Sequence, residues 1–284
     1  MSTSVRLGSS TDVVGPPDGG AAGRGPYVCV GCGRDAPALY ERVGQEVRLQ
    51  QCQHCLGIID HYIEFEILLV FIDLQLLREG VYRHILHNRF AAEPGRLRWE
   101  ACRFLLLCLL LDTYSLWLSW RVLPGGDAEQ SIAGDGIAAV ASALQHWRPA
   151  AALGHEAGWP FLVVCASELA IYFLVVSVCA LVLWQCPEGQ KRQKRPAFSD
   201  LVVALSVSSF GRLLRLVTIV WGGFRQHQMG SVFDMLVTMS NVLGVKVALR
   251  DEHWFRASGA VAVGLLARLA AGQYLAAALA LGRP

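Results

Sequence analysis

The chain has 284 residues, of which 54% are hydrophobic and only 17% charged, with a formal net charge of +2. Soluble domains average about 45–50% apolar and about 25% charged residues, so this composition excludes disorder along the whole chain and leaves an apolar excess that water hosts poorly. With 25 Lys and Arg against 23 Asp and Glu there is no global basic field for nucleic-acid phosphates, which leaves a membrane protein. Residues 1–25 are rich in Gly, Ser and Pro and have no periodicity and no hydrophobic signal core. They read as a disordered tail that stays on the side where it is made.

Next come Cys29-x2-Cys32, nineteen intervening residues, and Cys52-x2-Cys55. This is the spacing of two knuckles closing on one tetrahedral Zn2+, each knuckle needing a tight turn so that both thiolates reach the same ion. Gly31, Gly33 and Gly57 supply glycine in or just after the turns. Four thiolates fill the coordination shell and leave no position for water or substrate, so the ion is expected to be structural. A redox C-x-x-C pair and unpaired thiols are the two bland alternatives. His54 and His61 lie close by, but with four cysteines in register they are expected to be solvated or core residues. Between the knuckles, Leu39–Val43 and Val47–Gln50 alternate around Gly44 like the two strands of a zinc-ribbon hairpin.

The apolar stretch Ile67–Leu77 is too short to span and is interrupted by Asp73 and Gln75. Acidic residues precede it and basic ones follow, which suits a helix dipole. It is expected either to rest on the bilayer surface or to cap the cysteine module as a buried helix. Five longer blocks follow, at 104–120, 160–184, 201–221, 229–249 and 257–282. The block at 160–184 is the strongest, with Glu168 as its only charge and more than the roughly 20 residues that cross a bilayer. Asp112 interrupts the first block, Arg212 and Arg215 the third, Asp234 and Lys246 the fourth, and Arg268 the fifth.

Basic residues in short connections are retained in the cytosol, so their distribution orients the spans. Arg78, Arg83, Arg89, Arg96, Arg98 and Arg103 precede the first block, whereas the connection from Val122 to Trp159 has only Arg148. Lys191-Arg192-Gln193-Lys194-Arg195 follows the second block, and Arg250 and Arg256 follow the fourth. This alternation predicts five spans, the cysteines in the cytosol and the C-terminus across the membrane. The basic cluster at 191–195 reads first as a topology signal and second as an anionic-lipid patch.

The knuckle pair, the run Ile59-Asp60-His61-Tyr62-Ile63-Glu64-Phe65-Glu66 and the run Tyr82-Arg83-His84-Ile85-Leu86-His87-Asn88 together resemble the N-terminal homology domain of the Arv family. Downstream, Ser208-Ser209-Phe210-Gly211-Arg212-Leu213-Leu214 and Ser240-Asn241 with Lys246-Val247-Ala248-Leu249 also resemble members of that family. The resemblance covers nearly the whole chain after Gly25. It implies residence in the endoplasmic reticulum, a role in sterol uptake and distribution between membranes, effects on sphingolipids, and support of an early step of glycosylphosphatidylinositol anchor assembly. It leaves open whether the chain moves lipid itself or scaffolds lipid-biosynthetic enzymes.

Ionisable groups inside spans are costly and normally face protein, water or a headgroup. Arg212 and Arg215, three apart on a helical face, are expected to pair with Glu168 or Asp234 or to hold a lipid phosphate, with plain interhelical pairing or snorkelling as the simpler outcome. No tyrosine sits in the short linear pattern proposed for sterol contact, and no sterol site is assigned. No catalytic residue is assigned either. There is no G-x-S-x-G elbow and no phosphate-cradling glycine loop, and His155-Glu156 lacks the second histidine of a zinc-protease motif. The best base candidates, His84 and His87, have no evident partner. The expected architecture is mainly α: a small four-cysteine zinc-ribbon-like module with an interfacial helix within residues 26–90, then a multi-span helical membrane domain over residues 91–284.

Overall fold

A computed structural model of the chain describes residues 27–43, 46–64, 66–89, 94–122, 159–184, 196–214, 216, 226–250 and 254–281. The expected N-terminal tail, the turn at Gly44, the connection 123–158, the basic cluster 191–195 and Arg215 lie outside the described residues.

The N-terminal module is built from two antiparallel ribbons. Strands β1 (Tyr27–Val28) and β2 (Asp35–Ala36) pair Tyr27 with Ala36, with the first knuckle between them. Strands β3 (Tyr40–Val43) and β4 (Glu46–Leu49) pair Tyr40 with Leu49 and form the hairpin expected between the knuckles. The Val30 N–H donates to the Ile59 carbonyl at 2.9 Å and ties the first knuckle to the second. A small core of Cys29, Ala36, Leu39, Cys52 and Ile59 lies beneath the knuckles.

Helix α1 (Ile67–Gln75), helix α2 (Glu79–Arg83) and a π-helical turn at His84–Arg89 lead to the long helices. These are α3 (Pro94–Val122), α4 (Trp159–Leu183), α5 (Phe198–Ser208), α6 (Gln226–Leu249) and α7 (Trp254–Leu281). Pro94 opens α3, where its missing N–H and fixed φ cost nothing. Asp200 accepts a hydrogen bond from the Ala197 N–H at 3.1 Å and caps the start of α5.

Among the described residues three segments are long and apolar enough to cross a membrane, Phe161–Leu183, Val232–Leu249 and Trp254–Leu275, and they mark the chain as a membrane protein. The expected block 104–120 lies wholly within the 29-residue α3, which Arg103 and Asp112 interrupt. The expected block 201–221 is not one helix. Its α-helix stops at Ser208 and tightens into a 3-10 helix over Ser209–Leu214. The cause is lateral: the Ser208 hydroxyl donates to Asn241 Oδ1 (2.7 Å), and the Ser208 carbonyl, which a continued α-helix would have used, accepts from the Ser240 hydroxyl (2.6 Å).

Helices α4 and α7 run antiparallel in close contact. Gly264 faces Tyr172 and Val176, and a Cβ added at Gly272 would stand 2.7 Å from Glu168 Oε1, so small residues let the two backbones approach. At the module end of the bundle, Arg98 near the start of α3 donates to Ser199 near the start of α5 (3.2 Å). Lys246 near the end of α6 lies over the Trp254 ring at the start of α7, 4.4 Å from its centroid. One hydrophobic core joins module and bundle, from Val30 and Tyr62 through Tyr82 and Leu86 to Val203 and Leu243.

Candidate functional site

The four cysteines converge. Their sulfurs all lie within 4.8 Å of one another, with Cys29 to Cys55 and Cys32 to Cys52 each at 3.7 Å. A tetrahedron of sulfurs around an ion at about 2.3 Å has edges of about 3.8 Å, so the residues present fit a tetrathiolate Zn2+ site. Both knuckles place a left-handed residue four positions after their first cysteine. In the first it is Gly33 (φ +74°), in the second Leu56 (φ 59°) rather than the expected glycine. At Gly33 a Cβ would also sit 3.3 Å from the Arg83 guanidinium, so both the backbone conformation and the close approach of Arg83 favour glycine there.

Burial pushes the Cys29 thiol up to about 12. Burial also raises the Cys52 thiol, but the N–H groups of Cys55 and His54 outweigh it and bring that thiol down to about 7. Four thiolates packed this closely need a cation between them, and a bound ion here would supply folding energy. His54 turns away from the cluster, its Nε2 meeting the Arg34 guanidinium.

The module is fastened to the helices by polar contacts that the sequence did not announce. Asn88 substitutes for a strand beside β1: its Oδ1 accepts from the Val28 N–H (2.8 Å), and its Nδ2 donates to the Val28 carbonyl (2.9 Å). Buried Asp60 takes up Asn88 Nδ2, His84 Nδ1 (both 2.7 Å) and the Tyr62 N–H (3.0 Å). Arg83 donates to the carbonyls of Val30 and Gly31 at 2.9 Å and pairs with Glu79 at 2.7 Å. Glu79 in turn meets Lys246 at 3.3 Å, and Arg250 meets Asp35 at 2.6 Å.

His87 closes this interface, its Nε2 donating to the Val247 carbonyl at 3.0 Å. Burial, assisted by Arg250, holds its imidazole down to about 4. The unfolded chain takes up this proton near pH 6.5, so the stability contributed by neutral His87 is intact above that value. It is lost progressively as the pH falls towards 4. Thermal unfolding in detergent between pH 7 and 4 is expected to show this loss, and His87→Gln, which keeps a donor for Val247, should flatten it. An equally steep profile in the variant would assign the dependence to other groups.

Inside the bundle, four ionisable residues from four elements meet around one small cavity, which has room for about one water molecule and is lined also by Cys165. Arg212, only 4% exposed, pairs with Asp112 at 2.8 Å, and Arg268 pairs with Glu168 at 3.1 Å. The sequence expectation that Arg212 pairs with Glu168 or Asp234 is therefore corrected. The 3-10 conversion after Ser208 turns Arg212 towards α3, and Glu168 is taken by its antiparallel neighbour α7. Asp234 is half-buried on α6 and does not line this cavity. Beside it, Asn241 Nδ2 donates to the Tyr172 hydroxyl at 2.9 Å while its Oδ1 receives Ser208, so α4, α5 and α6 share one satisfied polar network.

Sequence reasoning placed Asp112 and Arg268 among the costly intramembrane charges but gave them no partners, and it missed Asp60 and Asn88 as a clamp. No local pattern marks either clamp residue, since Asp60 is followed by His61 and Glu64, and Asn88 lies between His87 and Arg89.

The model of the Arv1-like family matches residues 28–245, which takes in both knuckles, the clamp and the Ser208 and Asn241 network. A "Protein arv1 homolog" from Dictyostelium discoideum is 25% identical over 246 residues, covering 85% of this chain and 92% of that protein. A "Protein ARV1" from Mus musculus is 28% identical over 80% of this chain and 75% of its own length. A "Protein ARV 2" from Arabidopsis thaliana is 25% identical over 77% of this chain and 82% of its own length. No solved structure matches the chain.

Proposed function

Because the chain belongs to the Arv1-like family, we propose that it is a multi-span protein of the endoplasmic-reticulum membrane that works in sterol homeostasis by moving sterol and other lipids between membranes, with its cysteine module in the cytosol and Zn2+ as a structural cofactor. The reading extends to roles in sphingolipid metabolism and glycosylphosphatidylinositol anchor biosynthesis, with sterol and anchor precursors as the lipids contacted.

The observation that carries it is the cavity lined by Asp112, Glu168, Arg212 and Arg268. Buried ion pairs add little stability over apolar residues of the same volume, and ionisable groups at membrane depth mark pathways for polar cargo. In a chain that only anchors partners, one buried and one partly exposed pair of this kind would serve only to fix how the helices pack. A moving lipid, by contrast, needs a polar surface for its headgroup or hydroxyl part-way across.

The second reading, a scaffold that assembles lipid or glycolipid biosynthetic enzymes, is favoured by the second knuckle, whose tip carries the exposed apolar residues Leu56 and Ile58. No catalysis is assigned on either reading. What supports this is that His87 is buried against the Val247 carbonyl, and that His84, although oriented by Asp60, does not line the cavity in the bundle.

Purified protein in defined vesicles separates the readings. Transfer of fluorescent sterol or glycolipid without other proteins is expected if the chain moves lipid. Absent transfer, together with co-purifying biosynthetic enzymes, would replace that reading with the scaffold.

A further inference from the structure

Helix α1 has the sequence ILLVFIDLQ over nine residues and is less than half the length that crosses a bilayer. Even so, it turns a continuous apolar face outward: Ile67 is 79% exposed, Leu68 and Leu76 are each 61% exposed, and Leu69 and Ile72 are also open. Water-facing surfaces seldom carry such a patch without a partner. Its one charged residue is turned the other way. Asp73 accepts from the Tyr62 hydroxyl at 2.9 Å and pairs with Arg78 at 3.3 Å, while buried Leu74 anchors the inner face to the shared core. Nothing ionised is left on the outer face.

Aromatic contacts fix the level of the helix. Phe71 meets the Phe210 ring edge-on at 4.4 Å, and Phe210 stacks on Phe104 at 5.8 Å. Phe104 begins the long apolar run of α3, so α1 lies where the bundle enters hydrocarbon. Exposed Glu66 before α1 and the exposed Arg78 side chain after it put charge at the two ends, within reach of headgroups.

We propose that α1 lies in the plane of the membrane, immersed in the acyl chains of the leaflet on the module side, and thereby sets the depth at which the cysteine module sits. The occupant of the exposed face is phospholipid hydrocarbon. The inference holds whether the chain moves lipid or scaffolds enzymes, because it rests only on the helix, its hidden carboxylate and its level.

The test uses the full-length chain in phosphatidylcholine vesicles, with a diazirine analogue of leucine placed singly at Leu69 or Ile72. Exposed Leu174 on α4 serves as the lipid-facing reference and exposed Pro37 in the module as the aqueous one. The analogue is nearly isosteric with Leu69, Ile72 and Leu174, and Pro37 is exposed, so folding is preserved. Acyl-chain adducts at Leu69 and Ile72 are expected within about twofold of Leu174 and at least about tenfold above Pro37, as for a helix seated at the acyl boundary. Labelling at the Pro37 level would overturn the proposal. So would adducts to a second copy of the chain or to another polypeptide in place of lipid.

Discussion

A Cys52→Ser chain is expected to lose its metal and, with it, the fold of everything from β1 to the second knuckle. Among the described residues the core beneath the knuckles is a cluster of five buried side chains, and a segment of about 35 residues cannot bury enough apolar surface to fold on that basis. A structural zinc site supplies about 10–16 kcal/mol of apparent folding energy at neutral pH, more than any single packing contact. Metal analysis should fall from about one equivalent to none for a tetrathiolate site. Amide exchange at Cys29, Val30 and Ile59, whose N–H groups donate to the carbonyls of Arg34, Ile59 and Gln50 in turn, should become fast. The core between α4 and α7 contains no module residue, so those helices should stay protected. Serine-substituted protein that keeps a full equivalent of metal would sink the assignment.

The second large effect lies at the Asp112 and Arg212 pair. Replacing Asp112 alone with leucine leaves Arg212 buried among helices with no carboxylate at 2.8 Å, and breaking a buried pair in this way costs about 3–5 kcal/mol. Replacing both by leucine removes the orphan, and apolar pairs of similar volume are often neutral or better. The single variant should therefore unfold markedly earlier in denaturant than the double. The double variant also isolates function from stability. A folded Asp112→Leu, Arg212→Leu chain is expected to move lipid poorly in the vesicle assay, whereas wild-type transfer by that chain would reduce the pair to a structural tie.

Much of the plan was legible in the residues because it follows from local constraints. Paired C-x-x-C units can close only a small menu of sites, alternation around Gly44 specifies a hairpin, and long runs with one charge specify helices. What escaped was decided between segments. The expectation for Arg212 assumed α-helical rotation through 201–221, but the bonds from Ser208 and Ser240 across to the neighbouring helix change the pitch at Ser209 and with it the direction of the Arg212 side chain. The two stretches that carry the downstream family resemblance, 208–214 and 240–249, turn out to pack against each other, which their separate positions in the chain do not reveal. The role of Asn88 is invisible in its own run, since nothing local indicates that a side-chain amide will bond to a strand residue 60 positions earlier.

The distance in sequence between the module and its docking surface sets an order of events during synthesis. His87 and the Val247 carbonyl it bonds are 160 positions apart, and ribosomes add roughly 5–20 residues per second. For roughly ten to thirty seconds the nascent module stands complete while the helix end that will cover it has not yet been translated. On the proposed reading of the cysteine site, an ion captured as soon as the second knuckle emerges would let the module wait in folded form, which would make metal supply during synthesis a determinant of how much protein matures.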